Sequence, residues 1–213
     1  MPQENGDLMT IGIIGAGNVG ATLGRRFQSS GRQVLYGLRN PQNADPALTR
    51  QGEQCADIHS TVRQSDVVLL ATPWSAVPSV LESIPDFGGR PLLDATNPIV
   101  PGLHLALGHT DSGGEQVQRL APTARVVKVF NTTGAENMAN PDYHGQALFM
   151  PYCGDDEDAR AVTGDLLRAI GFDGVDMGPL RNARLLEPFG LMWITMAMVR
   201  QQGRNIGFVL ERR

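Results

Sequence analysis

Hydrophobic positions along the chain fall into short apolar blocks, separated by segments with helical periodicity. Met9–Ile14 and Asp66–Ala71 are runs of mostly branched apolar residues, as in strands that are covered on both faces. Between them, Asn18–Ser30 carries apolar residues four positions apart and is followed by Gly31, as an amphipathic helix is. The alternation of strands and helices predicts an α/β fold built on a doubly wound parallel sheet.

The same patterns place the remaining elements. Further strands are predicted at Gln33–Tyr36, Gln54–Ala56, Arg90–Asp94, Arg125–Phe130, Ala147–Tyr152 and Asp173–Met177. Further helices are predicted at Asn43–Gln51, Ile58–Gln64, Trp74–Ser83, Ser112–Leu120, Gly154–Ile170 with Asp155 as its N-cap, and Leu180–Gln202 with a kink at Pro188. We expect a single domain over residues 1–213, in which residues 180–213 form a C-terminal helical segment.

Composition places the chain among ordinary globular proteins. It has 213 residues, 41% of them hydrophobic, and a net charge of −4, which argues against a nucleic-acid partner. Two cysteines are too few for a secreted disulfide framework. The first residues lack a signal-peptide pattern, and the apolar stretch Pro188–Val199 is shorter than the ~20 residues of a membrane span. We expect a cytoplasmic protein with no membrane partner.

A glycine motif directly follows the first predicted strand. Gly15, Gly17 and Gly20 have the G-x-G-x-x-G spacing, between the apolar IGII and an amphipathic helix. In that context the glycines allow a tight turn, a close approach of backbone to pyrophosphate, and packing of helix on strand. The helix N-terminus then offers N–H groups and a positive dipole to the phosphates. The motif predicts a Rossmann-type fold that binds a dinucleotide.

The second strand ends in the sequence GLRN, without the acidic residue that usually binds the ribose hydroxyls of NAD. Arg39 would instead attract the 2′-phosphate of NADP, while Leu38 contributes only its backbone. The alternative is that Arg39 is a solvated loop residue. Because the acid is missing and an arginine is present, we predict a preference for NADP over NAD.

Later strand ends carry loops that suit a cofactor but few groups for acid–base chemistry. These loops are Thr72-Pro73-Trp74, Ala95–Pro101 and Phe130–Asn137. Tyr143 and His144 are candidate proton donors, but no lysine is paired with them in the sequence. The acidic run at residues 155–158 suits the first turn of a helix and requires no metal. We therefore assign no catalytic residue and no metal site, since a redox cofactor would carry the chemistry.

Six segments together resemble the NADPH-dependent reductases of the deazaflavin coenzyme F420, and also the oxidoreductase domain of the STEAP metalloreductases. They are IGIIGAGNVGATLGRRF, GLRN, VVLLATPW, DATNPIV, VVKVFNTTGAENM and MGPLRNARLLEP, and the resemblance runs from about Met9 to Leu210. It departs from the archaeal members at Leu38, where they carry a serine, and at Asn131, where they carry a histidine.

The resemblance implies a role for each matching residue. The pyrophosphate would lie on Gly15, Ala16, Gly17, Asn18 and Val19, and the 2′-phosphate on Arg39. The adenosine and ribose would lie beside Pro73 and Trp74, and the nicotinamide near Asn97, Pro98 and Ile99. The second redox ring would lie on a face bordered by Asn131, Thr132, Gly134 and Ala135.

Four functions remain open on the sequence. The first is hydride transfer between NADP(H) and coenzyme F420, and the second is reduction of FMN or FAD, and through it of ferric iron or a quinone. The third is a non-catalytic NADP(H)-sensing module, and the fourth is a pyrroline-carboxylate or imine reductase. We also expect a homodimer, formed through an apolar face of the last helix that comprises Leu185, Leu186, Leu191, Ile194 and Met198.

Overall fold

The computed structural model describes residues 8–43 and 54–213. Within these ranges, a central eight-stranded sheet runs in the order β12-β11-β8-β5-β4-β1-β2-β3. Its strands are β1 (Thr10–Ile14), β2 (Gln33–Leu38), β3 (Gln54–Asp57), β4 (Val67–Leu70), β5 (Pro91–Asp94), β8 (Arg125–Lys128), β11 (Phe149–Gly154) and β12 (Asp173–Asp176). Two small antiparallel hairpins are added, β6 (Ile99–Val100) with β7 (His104–Leu105) and β9 (Asp142–Tyr143) with β10 (Gln146–Ala147).

Helices cover both faces of this sheet. They are α1 (Asn18–Ser29), α2 (Ile58–Gln64), α3 (Val77–Glu82), α4 (Gly113–Leu120), α5 (Ala135–Ala139), α6 (Glu157–Ala169) and α7 (Ala183–Ile194). Short 3-10 turns lie at Pro41–Asn43, Trp74–Ala76 and Leu180–Asn182. The predicted helix at Asn43–Gln51 lies outside the described residues beyond its first position.

Two hydrophobic clusters on opposite faces of the sheet form the core. Ile13 belongs to the cluster beneath α1, whereas its neighbour Ile14 belongs to the cluster that contains Val77 of α3. The same alternation occurs in β4, where Leu69 and Leu70 face opposite clusters. Strands buried on both faces explain the continuous apolar runs in the sequence.

The predicted Rossmann-type sheet is confirmed, but the prediction that its strands all run parallel is wrong for the last two, β11 and β12. Strands β1 to β5 and β8 pair in parallel, but β11 pairs with β8 in the antiparallel direction and β12 follows β11. A parallel connection needs a crossover, usually a full helix. Between β8 and β11 the chain instead forms only the five-residue α5 and the β9–β10 hairpin. The carboxyl ends of β1, β2, β4, β5 and β8 therefore share one edge of the sheet.

The predicted C-terminal helix is too long. After α7, a π-helical turn at Thr195–Val199 ends the helix, and Gln201 follows with a φ of 54°. Pro188 lies inside α7 on its exposed side and does not end it. From residue 200 onward the chain is irregular. The C-terminal segment 180–213 is thus helical only as far as Val199.

The helix predicted at Gly154–Ile170 begins later than expected. Asp156, not Asp155, is its N-cap and accepts a hydrogen bond from the Ala159 N–H. Asp155 accepts instead from the Leu180 N–H, 25 residues further along the chain. Both roles explain the acidic run without a metal ion.

The outer side of α7 carries exposed apolar residues. Leu185 is 61% exposed and Met198 54% exposed, and Leu191 and Ile194 are half-buried. Leu186, which the sequence placed on the same face, is buried inside the chain. In the described part of the chain, every helix is too short or too polar to span a bilayer.

Candidate functional site

The glycine turn after β1 has the geometry that the sequence predicted. Gly15 has a φ of 104°, and a Cβ there would lie 2.5 Å from the carbonyl oxygen of Ala71. At Gly20, a Cβ would overlap the carbonyl oxygen of Gly15, so only glycine allows α1 to pack on this turn. In residues 8–43 and 54–213, no atom beyond the adjoining chain lies within 4 Å of a Cβ placed on Gly17. The turn is therefore tightly packed behind and open in front.

The N-terminus of α1 presents its backbone toward this open side. Gly17 is the N-cap, no side chain caps the helix, and no acidic residue lies in its first turn. Asn18 is exposed and Val19 half-buried. Uncapped N–H groups and the helix dipole favour an anion at this position, such as a pyrophosphate.

A cleft of about 300 Å³ lies between the ends of β1, β2 and β4. Its lining residues are Ile14, Gly15, Gly37, Leu38, Arg39, Ile58, Thr72, Pro73, Ala76 and Val80. Arg39 is exposed, and its Nη2 donates a hydrogen bond of 3.2 Å to the hydroxyl of Ser79. The Thr72 hydroxyl is buried without a hydrogen-bond partner. A ligand in the cleft could satisfy that hydroxyl and bind the guanidinium.

Among the described residues that line this cleft, none carries a carboxylate. The acidic residue on the neighbouring strand is Asp57, which lies opposite Leu38. Its carboxylate caps α2 by accepting the Ser60 N–H at 2.9 Å. Hydrogen bonds from the side chain and the backbone of Ser60 lower the pKa of Asp57. The cleft therefore combines an arginine with uncharged walls. This fits the phosphorylated ribose of NADP(H) better than the free hydroxyls of NAD(H).

A pair of asparagines joins the ends of β5 and β8. Asn97 Nδ2 donates to the backbone carbonyl of Asn131 at 2.8 Å, and Asn131 Nδ2 donates to Asn97 Oδ1 at 3.1 Å. Asn131 Nδ2 also donates to the carbonyl of Leu186 in α7 at 3.0 Å. Asn131 is 3% exposed, and its Oδ1 has no hydrogen-bond partner.

A buried ion cluster lies beneath these two loops. Lys128 Nζ is 2.9 Å from Asp94 Oδ2 and 3.1 Å from Glu187 Oε1, and it donates to the Thr96 carbonyl at 2.6 Å. Glu187 also accepts the N–H groups of Gly113 and Gly114, which begin α4. Burial by itself would lower the pKa of Lys128, but the two carboxylates outweigh it and the pKa is raised. The cluster joins β5, β8, α4 and α7.

Residues 10–98 match the family model described as NADP oxidoreductase, coenzyme F420-dependent. This match covers less than half of the chain, and it is a similarity to NADP-dependent oxidoreductases. Over 219 residues it is 28% identical to the F420-dependent NADP reductase of Methanothermobacter thermautotrophicus, covering 94% of each chain. A crystal structure of a putative F420-dependent NADP reductase from Arthrobacter sp. FB24 superposes with a TM-score of 0.84 at 28% identity, covering 96% of this chain and all of that one.

Another relative is a longer protein. Over 186 residues the chain is 31% identical to Metalloreductase STEAP3 of Rattus norvegicus. This match covers 85% of the chain but only 36% of the rat protein, so the chain spans about a third of its length. Both relatives and the matching structure are reductases by name.

Five residues that the sequence predicted to bind the cofactor lie together at the ends of β1, β2 and β4. Gly15, Leu38, Arg39, Thr72 and Pro73 all line the cleft. Trp74 does not line it, since its ring packs against the core cluster that contains Val77. Ala16 is half-buried against the other core cluster.

The residues that the family resemblance placed around the two rings are more buried. Pro98 is buried, and its carbonyl accepts the Ala106 N–H at 2.7 Å, while Ile99 opens the β6–β7 hairpin. The Thr132 hydroxyl donates to the Met150 sulfur at 3.5 Å. Gly134 lies under Trp193, whose ring would be 2.6 Å from a Cβ there, and the half-buried Ala135 begins α5.

Tyr143 and His144 lie in the β9–β10 hairpin, away from the paired asparagines. The Tyr143 hydroxyl donates to Asn137 Oδ1 at 2.6 Å, and burial raises the pKa of this phenol. Asn137 in turn donates to the carbonyls of Arg204 and Ile206 in the C-terminal segment. The phenol is therefore engaged in holding that segment. Within residues 8–43 and 54–213, no cluster of His, Cys, Asp or Glu could bind a metal ion.

Sequence reasoning missed the ion cluster and Trp193. The available signals were a lysine inside the apolar strand RVVKVF and a glutamate inside the apolar helix ARLLEPFGLMWI. Charged residues at such positions are almost never buried unless they are paired. Each signal suggests a partner, but neither identifies which one.

Proposed function

We propose that the chain transfers a hydride between NADP(H) and a deazaflavin ring of the coenzyme F420 type. The observation that carries the NADP(H) half is the cleft beside the open turn at Gly17, where Arg39 lies and where no carboxylate occurs among the lining residues that the structure describes. The family match and the archaeal relative named as an F420-dependent NADP reductase favour the deazaflavin as the second partner.

The described residues fit NADP(H) along the carboxyl edge of the sheet. Gly15, Gly17 and the N-terminus of α1 would bind the pyrophosphate, and Arg39 the 2′-phosphate. The Thr72 hydroxyl supplies an unsatisfied polar group between the two halves of the edge. The nicotinamide, when bound, supplies the hydride chemistry.

The protein's contribution would be alignment and the exclusion of water. The Asn97–Asn131 pair at the ends of β5 and β8 consists of neutral amides, and the nearby Lys128 ammonium is fully buried and ion-paired. Hydride transfer between two rings needs close stacking more than it needs a protein acid. The two asparagines are neutral amides, and the Tyr143 hydroxyl is engaged with Asn137; this suits ring-to-ring hydride transfer better than carbonyl reduction, which calls for a proton donor.

An alternative acceptor is an ordinary flavin, FMN or FAD, with ferric iron reduced through it. The 31% identity to the rat metalloreductase over most of this chain favours that acceptor. The same cleft would bind NADPH in either case. A non-catalytic NADP(H)-sensing module is the alternative in which binding occurs without turnover.

An acceptor panel separates these possibilities. The purified chain is mixed with NADPH or NADH, and nicotinamide oxidation is followed with coenzyme F420, FMN, FAD or no acceptor. We expect rapid turnover with NADPH and the deazaflavin. Turnover with FMN or FAD alone would replace the deazaflavin by a flavin, and tight NADPH binding without any turnover would favour the sensing module.

The 2′-phosphate site is tested by Arg39→Ala. A bidentate arginine–phosphate contact is strong and charge-assisted, so we expect the NADPH-over-NADH affinity ratio to fall by about tenfold or more. Arg63→Ala is the matched control, because Arg63 is also exposed and also donates to a serine hydroxyl, on α2. An unchanged ratio in Arg39→Ala would disprove this assignment.

We further propose that two copies associate through the outer side of α7. Leu185 and Met192 are exposed on α7, and Met198 and Val199 are exposed on the π-helical turn that follows it, which is an unusual density of large apolar side chains along one stretch of chain. Light scattering should give twice the mass of the chain, and Met192→Glu should restore the monomer mass. A monomeric wild-type chain would contradict the proposal.

A further inference from the structure

The buried Oδ1 of Asn131 is an acceptor for which the described part of the chain supplies no donor. Asn131 is 3% exposed, and its Nδ2 makes two hydrogen bonds whereas its Oδ1 makes none. Most buried side-chain polar atoms have a partner, and leaving one without is unfavourable. Such an atom at a candidate ligand site calls for a donor from outside the chain.

The orientation of this amide is fixed by its neighbours. The carbonyl of Leu186 can only accept a hydrogen bond, so the NH2 group of Asn131 must face it. Asn97 holds the other side of the pair, since its own Nδ2 donates to the Asn131 backbone. A Cβ on Gly190 would lie 2.5 Å from the Asn131 carbonyl and 3.1 Å from its Nδ2, so α7 packs closely against the pair. The amide cannot turn over without breaking these contacts.

The backbone before Asn131 is strained. Phe130 has a φ of 61° and is 1% exposed, which is rare for a bulky residue. Its ring is held edge-to-face between Phe27 and Phe172, each with a centroid distance of 6.2 Å. Strain of this kind collects at binding sites, where it places a functional group. Here it turns the chain after β8 so that Asn131 meets Asn97.

The buried ion cluster supports the same two loops from below. Lys128 donates to the Thr96 carbonyl, and Asp94 accepts from both the N–H and the hydroxyl of Thr96, one residue before Asn97. Glu187 adjoins Leu186, whose carbonyl accepts from Asn131. Charges that are fully buried and paired hold their loops rigidly, because separating them would leave an uncompensated charge in the core.

The pair lies where the far end of a bound dinucleotide would reach. Along the sheet edge, β2 carries Arg39, β1 the glycine turn, β4 Thr72, β5 Asn97 and β8 Asn131. With strands about 4.8 Å apart, the pair is roughly 10–15 Å from the glycine turn. On the side of β1 away from Arg39, this is the half of the edge that the nicotinamide would occupy.

We propose that Asn131 Oδ1 is the acceptor for the amide N–H of the nicotinamide carboxamide, and that the Asn97–Asn131 pair thereby sets the position of the ring. The inference rests on the proposed binding of NADP(H). It makes Asn131 a specificity-determining residue, which distinguishes a carboxamide from a ring substituent that has no N–H.

Nucleotide analogues test this without altering the protein. The wild-type chain is titrated with NADP⁺, with its thionicotinamide analogue, which keeps the NH2 group, and with its 3-acetylpyridine analogue, in which a methyl group replaces the NH2. We expect the thionicotinamide analogue to bind within about twofold of NADP⁺ and the acetylpyridine analogue about tenfold more weakly. Equal affinity for all three would overturn the inference.

Variants assign the discrimination to this residue. In Asn131→Ala, the NADP⁺ and acetylpyridine affinities should come within about twofold of each other. Asn137→Ala is the matched control, because Asn137 is equally buried but its amide serves Thr133 and the C-terminal segment. This control should keep the tenfold difference. A difference that persists in Asn131→Ala would place carboxamide recognition elsewhere and contradict the proposal.

Two further arms separate this inference from the proposed function. NAD⁺ and its acetylpyridine analogue are titrated in parallel, so a chain without NADP preference would fail the proposed function while still testing Asn131. Because a flavin ring also carries an imide N–H, riboflavin and N3-methylriboflavin are compared as well. Discrimination between these two flavins alone, with none among the nicotinamide analogues, would assign Oδ1 to the second ring and overturn the proposal.

Discussion

At the carboxyl edge of the sheet, the loops after β1 and β2 are built from backbone and one exposed side chain, whereas those after β5 and β8 rest on buried side chains. The glycine turn needs only the absence of Cβ atoms at Gly15 and Gly20, and Arg39 stands in solvent. The asparagine pair needs the ion cluster of Asp94, Lys128 and Glu187 beneath it.

The two regions would therefore hold the two ends of one dinucleotide by different means. Phosphates are bound by N–H groups and a cation, which a turn and an exposed arginine supply locally. A ring that must stack at reacting distance requires side chains held within a fraction of an ångström, and buried paired groups provide that rigidity. Changes in the first half should therefore affect affinity, and changes in the second half should affect folding as well.

The largest effect is expected from Lys128→Met. Removing the fully buried ammonium leaves Asp94 and Glu187 without their cation, which should lower the free energy of unfolding by about 3–5 kcal/mol. Urea unfolding measures it. Because the pKa of Lys128 is raised in the fold, its stabilisation should be complete below about pH 10 and lost as the pH rises through the folded value.

Two controls sharpen this prediction. Arg168→Met removes an exposed ion pair with Asp165 and should change the free energy of unfolding by no more than about 0.5 kcal/mol. Adding Glu187→Gln to Lys128→Met removes one of the two unpaired charges, so the double variant should be destabilised by less than the sum of the single variants. Strict additivity would show that the cluster does not act as a unit.

The next largest effect is on affinity, in Gly17→Ala. A Cβ at this position meets no atom of the other described residues within 4 Å, so the free energy of unfolding should stay within about 0.5 kcal/mol. The same Cβ would enter the path of the pyrophosphate, so NADPH should bind about tenfold or more weakly in a fluorescence titration.

Gly31→Ala gives the reverse pattern and serves as its control. Gly31 also has open space around it, but its φ of 83° strains any other residue. This variant should lose about 1 kcal/mol of stability and keep its NADPH affinity. Equal NADPH affinities in the two variants would contradict the open-turn interpretation.

The smallest effect is expected from Arg184→Gln, at the margin of the buried half. Arg184 forms two hydrogen bonds to the Glu115 carboxylate, and these lower the pKa of Glu115. A lowered carboxyl pKa contributes stability above its unfolded value and loses it as the pH falls through the folded value. The wild-type urea midpoint should therefore exceed that of the variant near pH 7, and the gap should close in acid. A gap that stays constant with pH would rule out the ion pair as its cause.

The backbone-built half could be predicted from sequence because its signals are local. The glycine spacing, the apolar strand before it and the missing acid at Leu38-Arg39 all lie within about 30 residues. The site at the ends of β5 and β8 could not be predicted from the sequence, because Asp94, Lys128 and Glu187 meet only after four elements have packed. Sequence periodicity shows that a residue is buried, but it does not show which distant residue it contacts.

Two further failures have the same origin. The apolar pattern of β11 is identical for parallel and antiparallel pairing, so its direction depends on the path of the preceding loop. The last helix was predicted to reach Gln202, but the helical residues end at Val199. There, a π-helical hydrogen bond joins the Arg200 N–H to the carbonyl of Thr195, five residues earlier. Arg200, Gln201 and Gln202, which follow, are residues with good helix propensity and gave no signal of the turn.

The exposed position of Arg39 also bears on how such a protein can change. Its guanidinium makes one hydrogen bond within the described chain, to Ser79, and no core residue depends on it. Under the proposed function, substitutions at this corner would alter the preference between NADP(H) and NAD(H) without disturbing the core. In such a protein, the residues that would select the nucleotide are separate from those that would position the reacting ring. Redesign of nucleotide preference can therefore start at residues 38 and 39.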